Sequence, residues 1–542
     1  MAVVNPVLTG FNPDPSITRV GDDFFLATSS FEYLPGVPIY HSKDLIRWKL
    51  IGHALTRRSQ IHIAGPEPGG GVWAPTLRYH DNVFYLATSS FDRFRPQQNE
   101  RLYPRGFYVR TENIWDSSSW LDPVYFDVIG FDQDLFWDAD GSVYLSTTHV
   151  KADRPPDADK SRLDFAIHVC KVDLNTGDSI SESVMIRESP TGISEGSHIF
   201  QRGRYYYLLT AEGGTGSRHS VWAFRNDQGP LGAWEACPKN PLLRSGTENK
   251  VQNTGHADLV EDINGQWWAV LLGVRPYRRD SGEWEESVFG RETFVVPVQW
   301  IDDWPVINRG DEIRLGPELE ASTETLWRDD FSEPVLGLGW YRKNTPDKLD
   351  HAITSNPSRL RLYGGPYNLS VPASPTMFLR KQTLRCCIWE TKVSFHPTTE
   401  HEEAGSVLWW NYLTYSSIGI RKARRGDGMS PAAAARMIHL RSARGDAVSR
   451  LLEQPDSDVC LYIRCGKKYE FGFRELVGPG DEDGPIQWLG EASNEVMTNP
   501  PSAGLAFSGM MFGLYAFADY QQSLNAAEFH YAQVKLIDGC QE

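Results

Sequence analysis

Short runs of alternating apolar and polar residues recur through the first part of the chain, and each ends in a tight turn of Gly, Asn or Asp. After the turn comes a second run rich in aromatic and aliphatic residues, as in Gly21-Asp-Asp-Phe-Phe-Leu-Ala-Thr28. Two such runs around a tight polar turn predict a β-hairpin. Five hairpins of this kind follow one another about 60 residues apart, and they begin at Asp14, Ala74, Asp132, Glu195 and His256.

The regular spacing indicates a repeat array whose units bury their faces against one another. No long amphipathic helix pattern lies between the hairpins, which argues against a parallel β/α architecture, and the pattern predicts an all-β fold. An antiparallel array of this type is a β-propeller, here with five blades over residues 1–305. In a propeller, equivalent residues on the first strand of each blade converge near the central channel.

Chemically active side chains occupy this equivalent place in several hairpins. Asp14 and Asp132 hold it in the first and third, His256 holds it in the fifth, and Glu195 is offset from it by about one residue in the fourth. Asp14 lies between two prolines, which hold its backbone on a stiff segment. Asp134 is an alternative to Asp132, and the repeat register favours Asp132. We therefore expect three carboxylates and one His in a shared cavity.

Carboxylates that face each other across a polar cavity, with no metal or cofactor motif, indicate glycoside hydrolysis. One acid must be protonated to help the leaving oxygen depart, and the other must be ionised. Asp14, short and rigidly held, suits a general base that leaves space for a water molecule, and the longer Glu195 suits the general acid. Asp132 is expected to orient Glu195 and to raise its pKa by like-charge proximity. Carboxyl groups from separate blades are expected to lie about 6.5–9.5 Å apart, which predicts inversion of the anomeric carbon.

The pattern changes after residue 305. Residues 306–326 are predicted to form a linker, and short alternating strands predict a β-sandwich over residues 327–542. A short helix is predicted at Pro431-Ala-Ala-Ala-Ala-Arg436. This second domain shows no catalytic set, because Glu402-Glu403 and Asp481-Glu-Asp483 are interpreted as solvated turns. It is predicted to be either a sugar-binding module or a wall of the active site.

Composition narrows the class of partner. The formal net charge of −16 argues against nucleic acid, which would require a basic face. No stretch approaches the apolar length of a membrane span. Aromatic residues make up 12% of the chain, with 18 Trp, which suits both a β-protein core and the stacking of sugar rings. Seven cysteines show neither the spacing of a disulfide framework nor that of a zinc site.

The N-terminal residues bear on location. Met1-Ala-Val-Val4 is not a signal peptide and leads directly into Asn5-Pro6. We expect an extracellular, secreted enzyme whose leader is absent from this chain. The sequon Asn368-Leu-Ser370 is compatible with secretion.

Six motifs, in order, resemble the successive signatures of glycoside hydrolase family 43. They are Asn12-Pro-Asp-Pro-Ser16, Gly71-Val-Trp-Ala-Pro75, Gly130-Phe-Asp-Gln-Asp-Leu-Phe136, Ser194-Glu-Gly-Ser-His198, Gly255-His-Ala-Asp-Leu259 and Gly290-Arg-Glu-Thr293. Phe507-Ser-Gly509 and the segments before it resemble the β-sandwich of the β-xylosidase-like branch of this family. The resemblance implies an inverting, exo-acting pentosidase with a five-bladed propeller and no cofactor for its chemistry.

The resemblance also implies roles for single positions, three in catalysis, four in substrate binding and one near a structural calcium ion. Asp14 matches the general base, Asp132 the pKa modulator and Glu195 the general acid. Arg291 matches a substrate-binding arginine, Phe31 and Trp73 match walls of the sugar pocket, and Phe507 matches a sandwich residue that closes the pocket in some members. His256 matches a His near the channel centre, where calcium often sits.

Two polar insertions bear on the substrate. Phe91–Arg105 and Lys151–Arg162 are expected at the pocket mouth, where they favour a wide cleft for a branched polysaccharide. We therefore predict removal of α-L-arabinofuranosyl side chains from arabinoxylan. The alternative is a β-1,4-xylosidase acting on xylo-oligosaccharides, or an enzyme with both activities. A fructan-acting hydrolase would carry signatures that the chain lacks, and a non-catalytic sugar-binding propeller would have no use for three converging carboxylates.

Overall fold

The computed structural model describes residues 3–92, 103–151, 153, 163–279, 281–316, 325–423, 435–454, 456–478, 484–500, 502 and 504–537. The chain divides into two compact units. The first comprises Met1–Pro276 and Phe289–Pro317, and the second comprises Tyr277–Val288 and Glu318–Glu542. Strands dominate both units, so the all-β fold predicted from the sequence is confirmed.

Within its described residues, the first unit contains five antiparallel four-stranded sheets. The first sheet has the order β1-β2-β4-β5, with β1 (Ser16–Val20), β2 (Asp23–Ala27), the two-residue β3 (Tyr33–Leu34), β4 (Gly36–Ser42) and β5 (Lys49–Leu55) in the chain. The second contains β6 (Gly71–His80), β7 (Val83–Phe91), β8 (Arg105–Thr111) and β9 (Val124–Ile129), with a 3-10 turn at Ser117–Ser119. The third contains β10 (Phe131–Trp137), β11 (Val143–Val150), β12 (Phe165–Lys171) and β13 (Val184–Glu188).

The last two sheets follow the same plan. The fourth contains β14 (Ser194–Arg202), β15 (Tyr205–Glu212), β16 (Ser220–Asn226) and β17 (Glu235–Ala236). The fifth contains β18 (Gln252–Glu261), β19 (Trp267–Val274), β22 (Arg291–Ile301) and β23 (Trp304–Ile307), followed by a 3-10 turn at Asn308–Gly310. Between β19 and β22 the chain forms a hairpin of β20 (Tyr277–Arg278) and β21 (Trp284–Glu285), which belongs to the second unit.

The turns of the predicted hairpins have the backbone conformations that their sequences favour. Asp81 and Asn82, between β6 and β7, both have positive φ (48° and 64°), as a two-residue hairpin turn requires. Gly203, between β14 and β15, has φ +60° with nothing within 4 Å of an added Cβ, so conformation and not space favours glycine there.

The first strands of the five sheets contact one another in cyclic order. β1 contacts β6, β6 contacts β10, β10 contacts β14, β14 contacts β18, and β18 contacts β1 again. Apolar clusters fill the space between neighbouring sheets, and one of them joins Leu26 and Tyr40 of the first sheet to Val270 and Val295 of the fifth. The starts of the five first strands are thereby brought together.

The second unit consists mainly of two antiparallel sheets. One contains β28 (Thr376–Lys381), β30 (Glu403–Asn411), β31 (Thr414–Lys422), β32 (Arg436–Arg441), β33 (Ala447–Leu451) and β37 (Met511–Phe517). The other contains β24 (Thr325–Asp329), β26 (His351–Ser355), β27 (Ser358–Tyr363), β29 (Cys387–Ser394), β34 (Asp458–Cys465), β35 (Lys468–Leu476), β36 (Gln487–Ser493) and β38 (Ala526–Leu536). The short β25 (Arg342–Lys343) and helix α1 (Asn494–Met497) complete the unit. Trp389 of the second sheet stacks on Phe512 of the first with ring centroids 5.3 Å apart, so the sheets pack face to face.

One prediction about the second unit is wrong. Glu402 and Glu403 are not solvated, since each is only 4% exposed. Glu403 lies in β30 and accepts a hydrogen bond from Tyr515 Oη at 2.7 Å, and Glu402 accepts one from Ser523 Oγ at 2.6 Å. Asp481–Asp483 and most of the helix predicted at 431–436 lie outside the described residues, and Arg436 begins β32.

No helix in the described part of the chain has the length and hydropathy needed to span a membrane.

Candidate active site

The equivalent residues of the five repeats share an unusual backbone conformation. All have positive φ, namely Asp14 (55°), Ala74 (39°), Asp132 (55°), Gly196 (60°) and His256 (50°). In the second to fifth sheets the strand register shifts at this place, which is the mark of a β-bulge. A bulge re-aims the side chains around it, and non-glycine residues enter this conformation only at a cost in free energy. Gly196 holds the repeat position in the fourth sheet, which explains why Glu195 is offset by one residue.

Asp14 is buried and held through both carboxylate oxygens. Its Oδ2 accepts a hydrogen bond from Ser29 Oγ at 2.6 Å. Its Oδ1 lies 3.2 Å from Arg291 Nη1 and 3.7 Å from His256 Nδ1. Burial alone would raise the pKa of Asp14, but Arg291, His256 and the Ser29 hydrogen bond together lower it below its ordinary value. Asp14 is therefore ionised at neutral pH.

Asp132 reaches the fourth sheet. Its Oδ2 accepts a hydrogen bond from the backbone N–H of Gly196 at 2.8 Å. Burial, followed by the charges of Glu195 and Asp14, raises the pKa of Asp132 well above its ordinary value. Asp132 and Glu195 therefore resist being ionised together.

Glu195 is half-buried beside these two carboxylates. Burial, and then the charge of Asp14, raise the pKa of Glu195 to about 7, against the opposing effect of Arg291. The sequence had predicted that Asp132 raises this pKa. The charges of Asp132 and Glu195 act on each other, since Glu195 raises the pKa of Asp132, and Asp14 adds to the rise at Glu195. The function of Asp132 as pKa modulator stays a prediction.

The predicted substrate-binding residues of the first unit lie close to this cluster. Arg291 donates to Asp14 and, at 3.3 Å, to Thr215 Oγ1, and its guanidinium lies 5.7 Å from the centre of the Phe31 ring. Trp73 directly precedes Ala74, donates from Nε1 to the Gly69 carbonyl and packs against other aromatic rings. Phe31 and Trp73 are only 1% and 7% exposed, so each offers little surface to a ligand. Their function as pocket walls stays a prediction.

His256 is the residue that was expected near a structural calcium ion. Calcium binds six to eight oxygen ligands. An Asp14 oxygen, which Arg291 also contacts, lies 3.7 Å from His256 Nδ1, and the His198 ring lies beside His256, with ring centroids 6.1 Å apart. Burial lowers the pKa of His256 to about 4, so the ring is neutral. Within the described residues, no group of three or more His, Cys, Asp or Glu side chains is arranged to hold a metal ion. A calcium ion near His256 stays a prediction.

An arginine that the sequence did not single out connects the sheets below the carboxylates. Arg78 Nε lies 2.9 Å from Asp134 Oδ1, its Nη1 lies 2.8 Å from Asp258 Oδ2, and its Nη2 lies 3.0 Å from His198 Nδ1. Asp258 also accepts from Ser16 Oγ at 2.9 Å, so all five sheets take part. Burial alone would raise the pKa of Asp258, but Arg78 outweighs it and the pKa falls to about 2.

The sequence contains a pattern that could have indicated this network. Four of its members follow the repeat position by two residues, and the equivalent residue of the second sheet is also polar and buried. These residues are Ser16, Thr76, Asp134, His198 and Asp258. Asp134, the alternative to Asp132, also accepts from the Ile199 amide at 3.0 Å, so it is engaged in this network and not with Asp14.

The remaining predicted features lie elsewhere. Phe507 belongs to the second unit, is half-buried, and precedes β37. Most of the two insertions predicted to shape the pocket mouth, 93–102 and 154–162, lies outside the described residues.

Comparison with known proteins covers both units. A model described as glycosyl hydrolases family 43 matches residues 3–305, and one described as a beta xylosidase C-terminal concanavalin A-like domain matches residues 328–535. A non-reducing end α-L-arabinofuranosidase of Bacteroides ovatus is 35% identical over 548 residues, covering 98% of this chain and 95% of that protein. A xylosidase/arabinosidase of Butyrivibrio fibrisolvens is 32% identical, covering 98% and 99%. The solved structure of a xylan β-1,4-xylosidase from Bacillus halodurans matches with a TM-score of 0.86 at 28% identity, covering 98% of this chain and 100% of that one.

Proposed function

This chain belongs to glycosyl hydrolase family 43 and is a glycoside hydrolase, and we propose that it is an exo-acting enzyme that releases α-L-arabinofuranosyl side chains from arabinoxylan with inversion of the anomeric carbon. One observation carries the chemical part of the proposal. In a single cluster of neighbouring carboxyl groups the pKa of Asp14 is lowered, whereas the pKa of Glu195 is raised to about 7. Between these two values one carboxyl group is ionised and the other carries a proton, as hydrolysis requires.

The catalytic roles of Glu195 and Asp14 follow from these protonation states. Glu195 donates its proton to the glycosidic oxygen as the bond from that oxygen to the anomeric carbon breaks. Asp14 takes a proton from a water molecule that attacks the anomeric carbon from the opposite face. Asp132 holds the Gly196 amide and thereby positions the preceding Glu195. Inversion requires that the Asp14 and Glu195 carboxyl groups stand about 6.5–9.5 Å apart, with the water between them.

The five sheets are proposed to be the blades of a five-bladed β-propeller. Support comes from the cyclic contacts of their first strands and from the buried Arg78 network that draws on all five. In this proposal residues 1–305 form the catalytic domain, 306–326 the linker and 327–542 the β-sandwich domain.

Substrate recognition is proposed to involve four residues. Arg291, whose Nη1 lies 3.2 Å from Asp14 Oδ1, is a donor beside the reacting groups and suits a sugar hydroxyl. Phe31 and Trp73 are proposed as apolar walls of the same pocket. Phe507 is proposed as the fourth substrate-binding residue.

The arabinofuranosyl specificity rests on relatives. The Bacteroides ovatus protein at 35% identity bears the name of an α-L-arabinofuranosidase. The second candidate, a β-1,4-xylosidase, is favoured by the Bacillus halodurans structure, and the Butyrivibrio fibrisolvens relative is named for both activities. We also propose that the enzyme acts outside the cell, as expected for a secreted enzyme that acts on a polysaccharide.

Side-by-side hydrolysis separates the two candidates. The purified protein is assayed on aryl α-L-arabinofuranoside, aryl β-D-xyloside, arabinoxylan and linear xylo-oligosaccharides. The proposal predicts free arabinose from arabinoxylan, with no shortening of the xylo-oligosaccharides. Release of xylose from the linear oligosaccharides with no arabinose from arabinoxylan would select the xylosidase. An NMR time course in which the retained anomer appears first would contradict inversion.

A further inference from the structure

Ser29 joins three parts of the first unit at the side of Asp14. It follows β2 by two residues and its side chain is fully buried. Its backbone N–H donates to the Pro13 carbonyl at 3.1 Å, so Ser29 is hydrogen-bonded to the segment that carries Asp14. Its hydroxyl oxygen lies 2.7 Å from the backbone N of Ala74 and 2.6 Å from Asp14 Oδ2. One small side chain thus ties the first sheet, the second sheet and a carboxylate of the cluster together.

The direction of these hydrogen bonds follows from donor and acceptor chemistry. The Ala74 N–H can only donate, so the Ser29 oxygen accepts from it. The single hydroxyl proton is then available to the neighbouring oxygen, which is Asp14 Oδ2. A hydroxyl that donates to a carboxyl oxygen stabilises the ionised form of that group. Ser29 thereby favours the protonation state that a general base requires.

The same contact distinguishes the two oxygens of Asp14. Oδ2 is engaged by Ser29 at 2.6 Å, whereas Oδ1 has longer contacts, 3.2 Å to Arg291 and 3.7 Å to His256. Oδ1, which has the longer contacts, is therefore the oxygen that can accept a proton from water. We propose that Ser29 is a positioning residue, which fixes Asp14 Oδ2 so that Oδ1 is presented to the attacking water. This inference rests on the proposed function, in which Asp14 is the base.

The next residue provides a matched control. Ser30 is 2% exposed, and its Oγ likewise accepts a hydrogen bond from a backbone amide, that of Val37 at 3.1 Å. Within the described residues, Asp14 receives its side-chain hydroxyl contact from Ser29 and not from Ser30. Ser29→Ala and Ser30→Ala therefore delete the same group at similar burial, and only the first removes a contact to the proposed base.

The test is the pH dependence of kcat/KM on an aryl α-L-arabinofuranoside, with wild type, Ser29→Ala, Ser30→Ala and Asp14→Ala measured together. Loss of the Ser29 hydrogen bond raises the pKa of Asp14, so we expect the acidic limb to move up by about one pH unit. We expect kcat to fall about tenfold, the usual scale for a hydrogen bond to a charged group, with KM nearly unchanged. Ser29→Thr, which restores a hydroxyl, should return the limb towards wild type.

Each outcome decides one question. An acidic limb in Ser29→Ala that coincides with the limb in Ser30→Ala overturns the inference. Near-normal turnover by Asp14→Ala overturns the assignment of Asp14 as the base. If Asp14→Ala loses its turnover but the acidic limb of Ser29→Ala stays in place, only the role of Ser29 is refuted. If Ser29→Ala does not fold, as judged by circular dichroism, Ser29→Cys keeps the volume with a weaker donor and is read in the same way.

Discussion

Asp132 accepts a hydrogen bond from the backbone N–H of Gly196, with 2.8 Å between N and Oδ2. The residue next to Glu195 is thus held by a carboxylate from another sheet. In sequence, 64 positions separate the two partners. This contact gives Asp132 a means of positioning Glu195, beside the charge effect that was predicted for it.

The contact predicts different results for two substitutions of Asp132. Asp132→Asn retains an oxygen that can accept from the Gly196 amide, whereas Asp132→Ala does not. We expect Asp132→Ala to lower kcat about 10²-fold, the usual effect of misplacing a catalytic group by about 1 Å. Asp132→Asn should lower it less. The measurement is kcat on arabinoxylan, and equal losses in both variants would show that charge and not position is what matters.

The pKa values predict a bell-shaped pH profile. The base must be ionised, so kcat/KM rises with pH through the lowered pKa of Asp14. The acid must be protonated, so kcat/KM falls as pH rises through about 7, the pKa of Glu195. Glu195→Gln cannot lose a proton, and its residual activity should lack the basic limb. A basic limb that persists in Glu195→Gln would assign it to another group.

Removal of either proposed catalytic group should reduce turnover strongly. Asp14→Ala and Glu195→Ala are each expected to lower kcat on arabinoxylan by several orders of magnitude with the fold intact. On aryl glycosides with acidic phenol leaving groups, Glu195→Ala should lose much less, because such groups depart without a proton. Asp14→Ala should show no such recovery. Equal behaviour of the two variants across leaving groups would contradict the assignment of acid and base.

The buried Arg78 network predicts a large effect on stability. Arg78→Met leaves Asp134 and Asp258 buried without their counter-charge, since both lie within 3 Å of the guanidinium. Breaking a buried pair in this way costs about 3–5 kcal/mol. Arg47→Met provides the control, because Arg47 pairs with Asp44 at 2.8 Å with its side chain 85% exposed, and such pairs contribute about 0–1 kcal/mol. Urea unfolding at neutral pH measures both.

The stability that the same network contributes is expected to depend on pH in the acid range. The pKa of Asp258 in the folded state is about 2, below its ordinary value of 3.8. Its contribution to stability is therefore complete above the ordinary value and is lost as pH falls towards 2. The free energy of unfolding of wild type should decrease through this window, and Arg78→Met should show a smaller decrease.

Repetition in the sequence was enough to predict the strands and the place where they meet. The five predicted hairpins share one equivalent position, so Asp14, Asp132, Glu195 and His256 were expected to lie together, and the structure brings them together. The offset of Glu195 was also visible. What the sequence did not reveal is its cause, a positive φ at Gly196, because left-handed conformation at Asp14 or His256 leaves no mark in residue type.

Features that depend on side chains from distant sheets were missed or misread. Arg78 and Asp258 are 180 residues apart, and no local pattern shows that a guanidinium reaches between two sheets. The sequence around Glu403 predicts a solvated carboxylate. The structure buries Glu403 and supplies a hydrogen-bond donor from Tyr515, which is 112 residues away. Periodicity predicts which face of a strand is buried but not which polar groups find partners inside.

Gly196 can be tested against a glycine with the same backbone conformation. Gly196 and Gly203 both have φ +60°, but an added Cβ at Gly196 would lie 3.1 Å from His256 Nδ1 and from Ala211 Cβ, whereas at Gly203 nothing lies within 4 Å. Gly203→Ala therefore carries only the backbone strain, about 1 kcal/mol. Gly196→Ala carries the same strain and also presses on a ring that lies 3.7 Å from Asp14 Oδ1.

We expect Gly203→Ala to lose a little stability with normal kcat/KM. Gly196→Ala should be less stable than Gly203→Ala and should also lose kcat, because displacement of His256 disturbs the base and displacement of residue 196 disturbs Glu195 and its tie to Asp132. Urea unfolding and steady-state kinetics on the pair separate the two effects. Identical kcat/KM values in both variants would mean that the contact between residue 196 and His256 has no part in holding the catalytic groups.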